Sequence, residues 1–134
     1  MKYFSNIKDV EEWFYCDNYP RDKIRMKYLI SQEVNDSKDL SCGIAELDPG
    51  DEHLLHYHTK EAELYYVLSG HGKVRVKNDE RDVGPGTAIY IPRGVKHSIR
   101  NDGTEKFTIL WVYDQPSTNY SIVWVNDVEG GEKS

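Results

Sequence analysis

Short segments rich in Tyr, Val, Ile and Leu recur along almost the whole chain, and turn-forming residues separate them. Segments of this kind are typical of β-strands, and clusters of Gly, Pro, Asn and Asp between them are typical of tight turns. The sequence predicts nine strands, over residues 25–32, 40–47, 52–58, 63–68, 73–77, 87–91, 96–100, 107–113 and 120–125. Short strands at this cadence indicate an all-β domain, built as a sandwich or as a barrel.

The two ends of the chain have different patterns. Residues 7–15 (IKDVEEWFY) place apolar side chains near helical spacing, and Ser5 or Asn6 could cap a helix that begins there. We therefore expect a short N-terminal helix before the strands. Residues 127–134 (DVEGGEKS) are polar, and we expect them to form a disordered tail.

Length and charge limit the classes of function. The 134 residues suffice for one domain with one core, and no run approaches the roughly 18 apolar residues that cross a bilayer. The formal charge of −6 opposes binding to nucleic acid or to an anionic membrane, since both require a basic surface. The N-terminus lacks the apolar region of a signal peptide, so a cytoplasmic location is expected. Cys16 and Cys42 lack metal or redox spacing and are expected to be free, partly buried thiols.

Three histidines and one glutamate have the arrangement of a metal site. His56 and His58 flank Tyr57 in a predicted strand, and alternate side chains of a strand share a face, so both imidazoles point the same way. Glu63 opens the next strand, and His97 begins a later strand just after a Pro-Arg-Gly turn. Such a mixed set suits one divalent ion of Fe, Mn, Co, Ni, Cu or Zn. Four protein ligands around an octahedral ion leave two positions for substrate, water or O₂.

These residues lie within a longer pattern of fixed spacing, G-x5-H-x-H-x4-E-x6-G followed by G-x5-P-x-G-x2-H-x3-N. The positions are Gly50, His56, His58, Glu63 and Gly70, then Gly86, Pro92, Gly94, His97 and Asn101. Both motifs resemble those of the cupin superfamily. The resemblance implies a single cupin domain over residues 1–134, folded as a double-stranded β-helix (a jelly-roll barrel) with its core over about residues 40–114. It also implies a metal ion inside the barrel and a homodimer.

Strand alternation assigns further residues to the two faces of the barrel wall. Tyr65 shares the face of Glu63, so its hydroxyl is expected inside the barrel near the metal. There it either closes the core through a hydrogen bond or acts as a general acid or base. Residues 64, 66 and 68 face outward and would suit a partner subunit. His53 has the wrong parity for the metal face and His71 sits in a hairpin, so both are expected to be solvated.

Beyond the two motifs, the chain resembles the small cupin lyases that cleave dimethylsulfoniopropionate. The shared features are a Tyr-Pro pair at 19–20 and the segments 25–30 (RMKYLI), 43–47 (GIAEL), 55–58 (LHYH) and Trp111. The resemblance implies that a metal binds the substrate carboxylate and that a tyrosine removes the α-proton, releasing dimethyl sulfide and acrylate. Tyr65 matches that tyrosine, Tyr120 is the candidate for the family's second tyrosine, and Trp111 is a candidate substrate contact. The chain departs from that family by placing four residues, not three, between His58 and Glu63.

Three cations are possible clamps for a substrate carboxylate, namely Arg25, Lys27 and Arg100, although each would by default be a solvated surface residue. Lys27 becomes the best of them if it shares the inward face of its strand, but Met26 and its alternate neighbours are equally good core residues. Other activities stay open on sequence alone. They are an Fe(II) dioxygenase, a sugar isomerase or epimerase, and a cupin that binds a small molecule without catalysis.

Overall fold

In a computed structural model, which describes residues 2–15, 21–117 and 121–125, the chain forms two antiparallel β-sheets that face each other. The strands are β1 Phe14–Tyr15, β2 Arg25–Ile30, β3 Ser41–Leu47, β4 Glu52–His58, β5 Glu63–Ser69, β6 Gly72–Val76, β7 Asp79–Val83, β8 Ala88–Ile91, β9 His97–Arg100, β10 Phe107–Tyr113 and β11 Ile122–Trp124. The six-stranded sheet has the order β1-β2-β3-β10-β5-β8, and the five-stranded sheet has the order β11-β4-β9-β6-β7. This all-β jelly-roll architecture confirms the predicted fold class.

The core lies between the sheets, and strict alternation along the strands fills it. In β10 every second residue from Phe107 to Tyr113 is buried, and β3 follows the same pattern from Ser41 to Leu47. Most of the apolar core comes from the six-stranded sheet, whereas the facing β4 and β9 direct histidines inward. The polar site is therefore walled on one side by an apolar and aromatic sheet.

Two residues of the predicted motifs, Gly70 and Asn101, stabilise bends between strands. Gly70 has a φ of 80° after β5, and a Cβ there would collide with the backbone of Lys106 and Phe107. Asn101 is fully buried at the end of β9, where its side-chain amide donates to the carbonyl oxygens of Leu47 and Glu105. Both residues fix the bends that return the chain to the barrel.

The predicted N-terminal helix over residues 7–15 is wrong. Only a single 3₁₀ turn forms, over Ile7–Asp9, and the chain then extends into β1, which pairs with β2. The aromatic residues explain the difference, because Trp13 lies against two cations of β2 and Phe14 stacks on Tyr28 at 4.9 Å. Contacts with the sheet thus override the helical spacing of the segment.

Several other elements differ from the prediction or lie beyond the described residues. The edge strand β7 was missed because its residues are charged and largely exposed, so it lacks an apolar alternation. A one-turn α-helix, α1 Gln32–Asn35, was also missed; Ser31 caps it by accepting a hydrogen bond from the Val34 amide. Cys42 carries a free, half-buried thiol, and burial raises its pKa. Cys16 and the tail at 127–134 lie outside the described residues. Neither helix described is long or apolar enough to span a membrane.

Candidate metal centre

Three imidazoles meet inside the barrel. His56 and His58 come from β4, and His97 comes from the neighbouring β9, where it is the register partner of His56. One ring nitrogen from each lies within 4.8 Å of the others, and all three side chains are buried. Antiparallel pairing of two strands thus brings together residues that are about forty positions apart in the sequence.

Hydrogen bonds to the backbone fix the orientation of two of these rings. Nδ1 of His56 lies 2.6 Å from the carbonyl oxygen of Leu54, and Nδ1 of His97 lies 2.9 Å from that of Val95. A carbonyl oxygen only accepts, so Nδ1 carries a proton in each ring, which leaves Nε2 as the nitrogen that a metal ion would bind. Nε2 of His56 is buried, and the described residues offer it no hydrogen-bond partner. A buried orphaned acceptor of this kind is what a metal ligand leaves when its ion is removed.

The predicted fourth ligand, Glu63, approaches from the opposite sheet. Its carboxylate is buried at the start of β5, with Oε1 3.1 Å from Nε2 of His97 and 3.6 Å from Nε2 of His58. The Glu63 carboxylate therefore borders the histidine cluster at His58 and His97. Three imidazoles and one carboxylate fit a divalent transition ion, and an ion there would polarise an oxygen-bearing ligand as a Lewis acid.

Burial keeps His56 and His58 uncharged. Removal from solvent lowers the pKa of His56 well below its ordinary value, and the neighbouring imidazoles lower it further. The same two causes, in the same order, lower the pKa of His58 to about 2. Neutral imidazole is the form that coordinates a metal, so at neutral pH these two ligands need lose no proton when an ion binds.

The prediction for His53 is wrong, whereas the exposed position of His71 agrees with its prediction. A register shift in the pairing of β4 with β9, between His53 and His56, brings both side chains to the same face. The His53 ring lies 4.0 Å from that of His56, and its Nδ1 is 2.9 Å from the buried carboxylate of Asp22. A bulge of this kind leaves no signature in alternation, so sequence reasoning could not have placed this residue.

A second carboxylate near the site was also missed. Glu61 is buried, and its Oε1 lies 3.7 Å from Nδ1 of His58, whereas Glu63 approaches the other ring nitrogen, Nε2. The hydroxyl of Ser121, just before β11, donates to the same oxygen at 3.0 Å. In the sequence, a glutamate two positions before the Glu63 of the motif resembles a solvated turn residue, and its contact with Ser121 joins positions 60 residues apart.

Two tyrosines border the histidines. Tyr65 is buried on the inward face of β5, as predicted, and its ring packs edge-on against that of His97 with centres 6.0 Å apart. Tyr113 at the end of β10 is also buried, and its ring lies 5.3 Å from that of His58. Sequence reasoning missed Tyr113, although it continues the alternation that puts Trp111 on the inward face.

The three cations that were predicted as possible carboxylate clamps do not point into the barrel. Met26, not Lys27, fills the inward face of β2, and the Lys27 ammonium lies 4.7 Å from the centre of the Trp13 ring. The alternative in which Lys27 points into the barrel is therefore wrong. Arg25 lies on the same outer side, where a hydrogen bond to Asp48 and another to Glu46 raise its pKa. Arg100 is exposed at the end of β9.

Trp111 is buried in the wall opposite the histidines. Its ring packs against Tyr28 and Tyr113, with centres 5.6 and 5.0 Å apart, and the described residues offer no hydrogen-bond partner to its buried Nε1. Trp111 stays a predicted substrate contact. Tyr120, the second predicted catalytic tyrosine, lies outside the described residues.

With the barrel and its histidines in place, comparison with known proteins decides the family. The cupin domain family matches residues 43–113, which is more than half of the chain. The chain belongs to the cupin domain family. The match spans β3 to β10 and includes both sequence motifs, with His56, His58, Glu63 and His97.

Characterised cupins similar to this chain differ in activity. An oxalate-binding protein of Thermotoga maritima is 30% identical over 90 residues, 67% of this chain and 74% of that protein. A glucose-6-phosphate isomerase of Thermococcus onnurineus is 34% identical over 99 residues, covering 64% of this chain and 52% of the isomerase. Dimethylsulfoniopropionate lyase DddW of Ruegeria pomeroyi is 33% identical over 75 residues, covering 56% and 49%. The chain spans about half the length of these last two relatives.

A solved structure confirms the fold. The crystal structure of a predicted oxalate decarboxylase from Thermotoga maritima superimposes with a TM-score of 0.70 at 24% identity, and the match covers 83% of this chain and 97% of that one. At this level of identity the likeness concerns the fold alone. The choice among activities therefore depends on the side chains that line the site.

Proposed function

We propose that this cupin is a metal-dependent lyase that removes the proton α to the carboxylate of a small substrate, with dimethylsulfoniopropionate as the preferred candidate. The observation that carries the proposal is the position of Tyr65, buried two residues after Glu63 with its ring against His97. A phenol at that position is within the immediate surroundings of the candidate ligands. Tyr113, beside His58, is a second phenol on the same wall.

The proposed reaction is a β-elimination. The Tyr65 phenolate oxygen takes the α-proton, and the released electron pair forms the double bond between the α- and β-carbons. The bond from the β-carbon to the sulfonium sulfur then breaks, and its electrons leave with neutral dimethyl sulfide. Acrylate remains in the site, and Tyr65 returns its proton to solvent. A divalent ion held by the four ligands would supply the positive charge that binds the carboxylate and acidifies the α-proton.

The charges inside the barrel favour a small carboxylate over a sugar phosphate. Among the described residues, every buried charged side chain is Asp, Glu or His, and none is Lys or Arg. A dianionic phosphate usually needs such cations, whereas one carboxylate can be held by a metal ion and a neutral donor such as the Trp111 indole. This supports proton removal next to a carboxylate rather than isomerisation of a phosphorylated sugar.

The direct test is gas chromatography of the headspace above protein loaded separately with Fe(II), Mn, Ni, Co, Cu or Zn and given dimethylsulfoniopropionate. We expect dimethyl sulfide in the headspace and an equal amount of acrylate in the solution, measured by liquid chromatography, without O₂ consumption. Tyr65→Phe should reduce the rate at least 10²-fold, as expected for loss of a general base. Tyr66→Phe is the matched control. The Tyr66 side chain faces outward, so this change should leave the rate unchanged. Full activity in Tyr65→Phe would mean that Tyr65 is not the base and would make Tyr113 the candidate. Absence of both products from the wild-type protein would reject the lyase proposal.

A second candidate function is binding of a small dicarboxylate without turnover, which the likeness to the oxalate-binding protein favours. The same centre would hold oxalate through the metal, and the apolar wall would exclude larger acids. Calorimetric titration of metal-loaded protein with oxalate distinguishes the two candidates. Tight binding of oxalate, together with no product from dimethylsulfoniopropionate, would select the binding function.

A further inference from the structure

We propose that Glu61 is a positioning residue of the metal centre, and that Ser121 holds it in place, so that the C-terminal strand β11 contributes to metal affinity. The inference concerns how this chain holds an ion at His58. It rests on the metal site of the proposed function but not on the reaction proposed there.

The contacts around Glu61 form a short, ordered chain. The Ser121 hydroxyl donates to Oε1 of Glu61 at 3.0 Å and accepts from the backbone amides of Thr59 and Lys60 at 3.0 and 2.9 Å. One donor and two acceptor positions exhaust the capacity of a serine hydroxyl, so its orientation is fixed. Glu61 itself is only 3% exposed. Burial of a carboxylate this deep in the protein costs free energy unless neighbouring groups pair with it.

On the metal side, the ionisable group next to Glu61 is His58. His56 and His97 each direct Nδ1 to a backbone carbonyl, which sets Nε2 toward the centre. At His58 the group next to Nδ1 is instead the Glu61 carboxylate, with Oε1 at 3.7 Å. A small rotation that shortens this distance to about 2.8 Å would make a charge-assisted hydrogen bond. Carboxylates behind ligating histidines fix the tautomer and raise the basicity of the other nitrogen.

The geometry also separates the roles of the two glutamates. Glu63 lies next to Nε2 of His58, whereas Glu61 lies next to Nδ1 of the same ring. Only Glu63 also reaches His97, at 3.1 Å. Glu63 is therefore the carboxylate on the metal side, and Glu61 supports the ring from behind.

Ser121 connects this support to the C-terminal strand. The residue after it, Ile122, begins β11 as the register partner of His58, and Trp124 is the partner of His56. The Trp124 ring lies 5.3 Å from that of His56, so β11 covers the backs of two ligands. Docking of this short edge strand and retention of the metal should therefore be coupled.

The test is a metal competition titration of the full chain, with Zn²⁺ or Co²⁺ and a chromogenic chelator, in the absence of substrate. Glu61→Gln should weaken metal binding about 10- to 100-fold, the usual cost of removing a partner behind a ligating histidine. Ser121→Ala should weaken it less. The double variant should be no weaker than Glu61→Gln alone, because both changes remove the same support. Glu105→Gln is the matched control, since it removes one exposed glutamate charge elsewhere and should not change the affinity.

A second measurement, independent of affinity, reports the His58 tautomer. Nitrogen-15 correlation spectra of the metal-free protein should show His58 protonated at Nδ1, and Glu61→Gln should give a mixture of tautomers while His97 is unchanged. Affinity of folded Glu61→Gln within twofold of the wild type, or additive losses in the double variant, would overturn the proposal. If Glu61→Gln fails to fold by circular dichroism, Ser121→Ala decides the matter: an affinity loss of about threefold or more supports the proposal, and unchanged affinity rejects it. Because no substrate is used, failure here leaves the lyase proposal intact, and the reverse also holds.

Discussion

Burial of His56 and His58 in their neutral forms links the stability of the metal-free protein to pH. In the unfolded chain these histidines titrate near pH 6.5, whereas in the folded barrel their pKa values lie well below that. Between those values the unfolded state binds more protons, so stability is fully present above about pH 6.5 and falls as pH decreases. From pH 7.5 to 5.5 we expect the free energy of unfolding to fall by about 2 to 3 kcal/mol.

Urea unfolding of the metal-free protein at several pH values measures this slope. His58→Asn should flatten it by about half, because one of the two protons is removed from the balance. His71→Asn is the matched control, since His71 is exposed and should leave the slope as in the wild type. A wild-type midpoint that stays constant between pH 7.5 and 5.5 would contradict the expected burial of neutral imidazoles.

At the same scale, alternation along strands predicted the site residues that lie within regular pairing. Glu63 and Tyr65 share the inward face of β5, as the period of two required. The same rule failed for His53, because the register shift in β4 reverses its parity. It was also silent on Asp22, whose contact with His53 spans 31 positions and joins a loop to a strand. The local sequence predicts which side chains of a regular strand share a face. It does not predict bulges or contacts between residues that are far apart in the chain.

Among the elements, β3 depends on a glycine for close approach to both of its neighbours. A Cβ at Gly43 would collide with the carbonyl oxygen of Lys27 on β2 and lie 2.5 Å from the Trp111 ring on β10. Gly43→Ala should therefore lower the free energy of unfolding by about 1 to 3 kcal/mol, the usual cost of overpacking a core. Because Trp111 must move, its fluorescence should change as well.

Thermal and urea unfolding measure this change, and Gly84→Ala provides the control. There a Cβ meets only the exposed His71 side chain, which can turn away, so the loss should stay below about 0.5 kcal/mol. Equal losses in the two variants would show that the contact with β2 and Trp111 is not the cause.

The elements that sequence reasoning misjudged lie at the edges of the sheets. Residues 7–15 have helical spacing, yet Phe14 and Trp13 gain more from packing on β2 than a short isolated helix would supply. The edge strand β7 is stabilised by pairing with β6 and not by an apolar face. Central strands carry their burial pattern in the sequence, whereas edge elements are decided by neighbours that are distant in the chain.

For the molecule as a whole, the outer face of the six-stranded sheet exposes a group of large apolar side chains. Leu64, Tyr66 and Leu68 project from β5 with 38, 39 and 44% of their surface exposed, and Tyr90 on the adjacent β8 is 70% exposed. Contiguous apolar faces of this kind usually mark an interface. A second copy of this chain, related by a twofold axis, would cover the face with its own equivalent.

We accordingly expect a homodimer in solution, measurable by light scattering after size-exclusion chromatography. Tyr66→Asp should shift the protein to monomer, because it places a charge in the centre of the face that the dimer would bury. Retained metal affinity in this variant would show that the barrel is intact. Glu80→Lys on the exposed β7 is the control and should remain dimeric. Each copy carries a formal charge of −6, so self-repulsion should make the dimer tighter at 0.5 M salt than at 0.05 M. A monomer at both salt concentrations would instead mean that the face serves another partner or none.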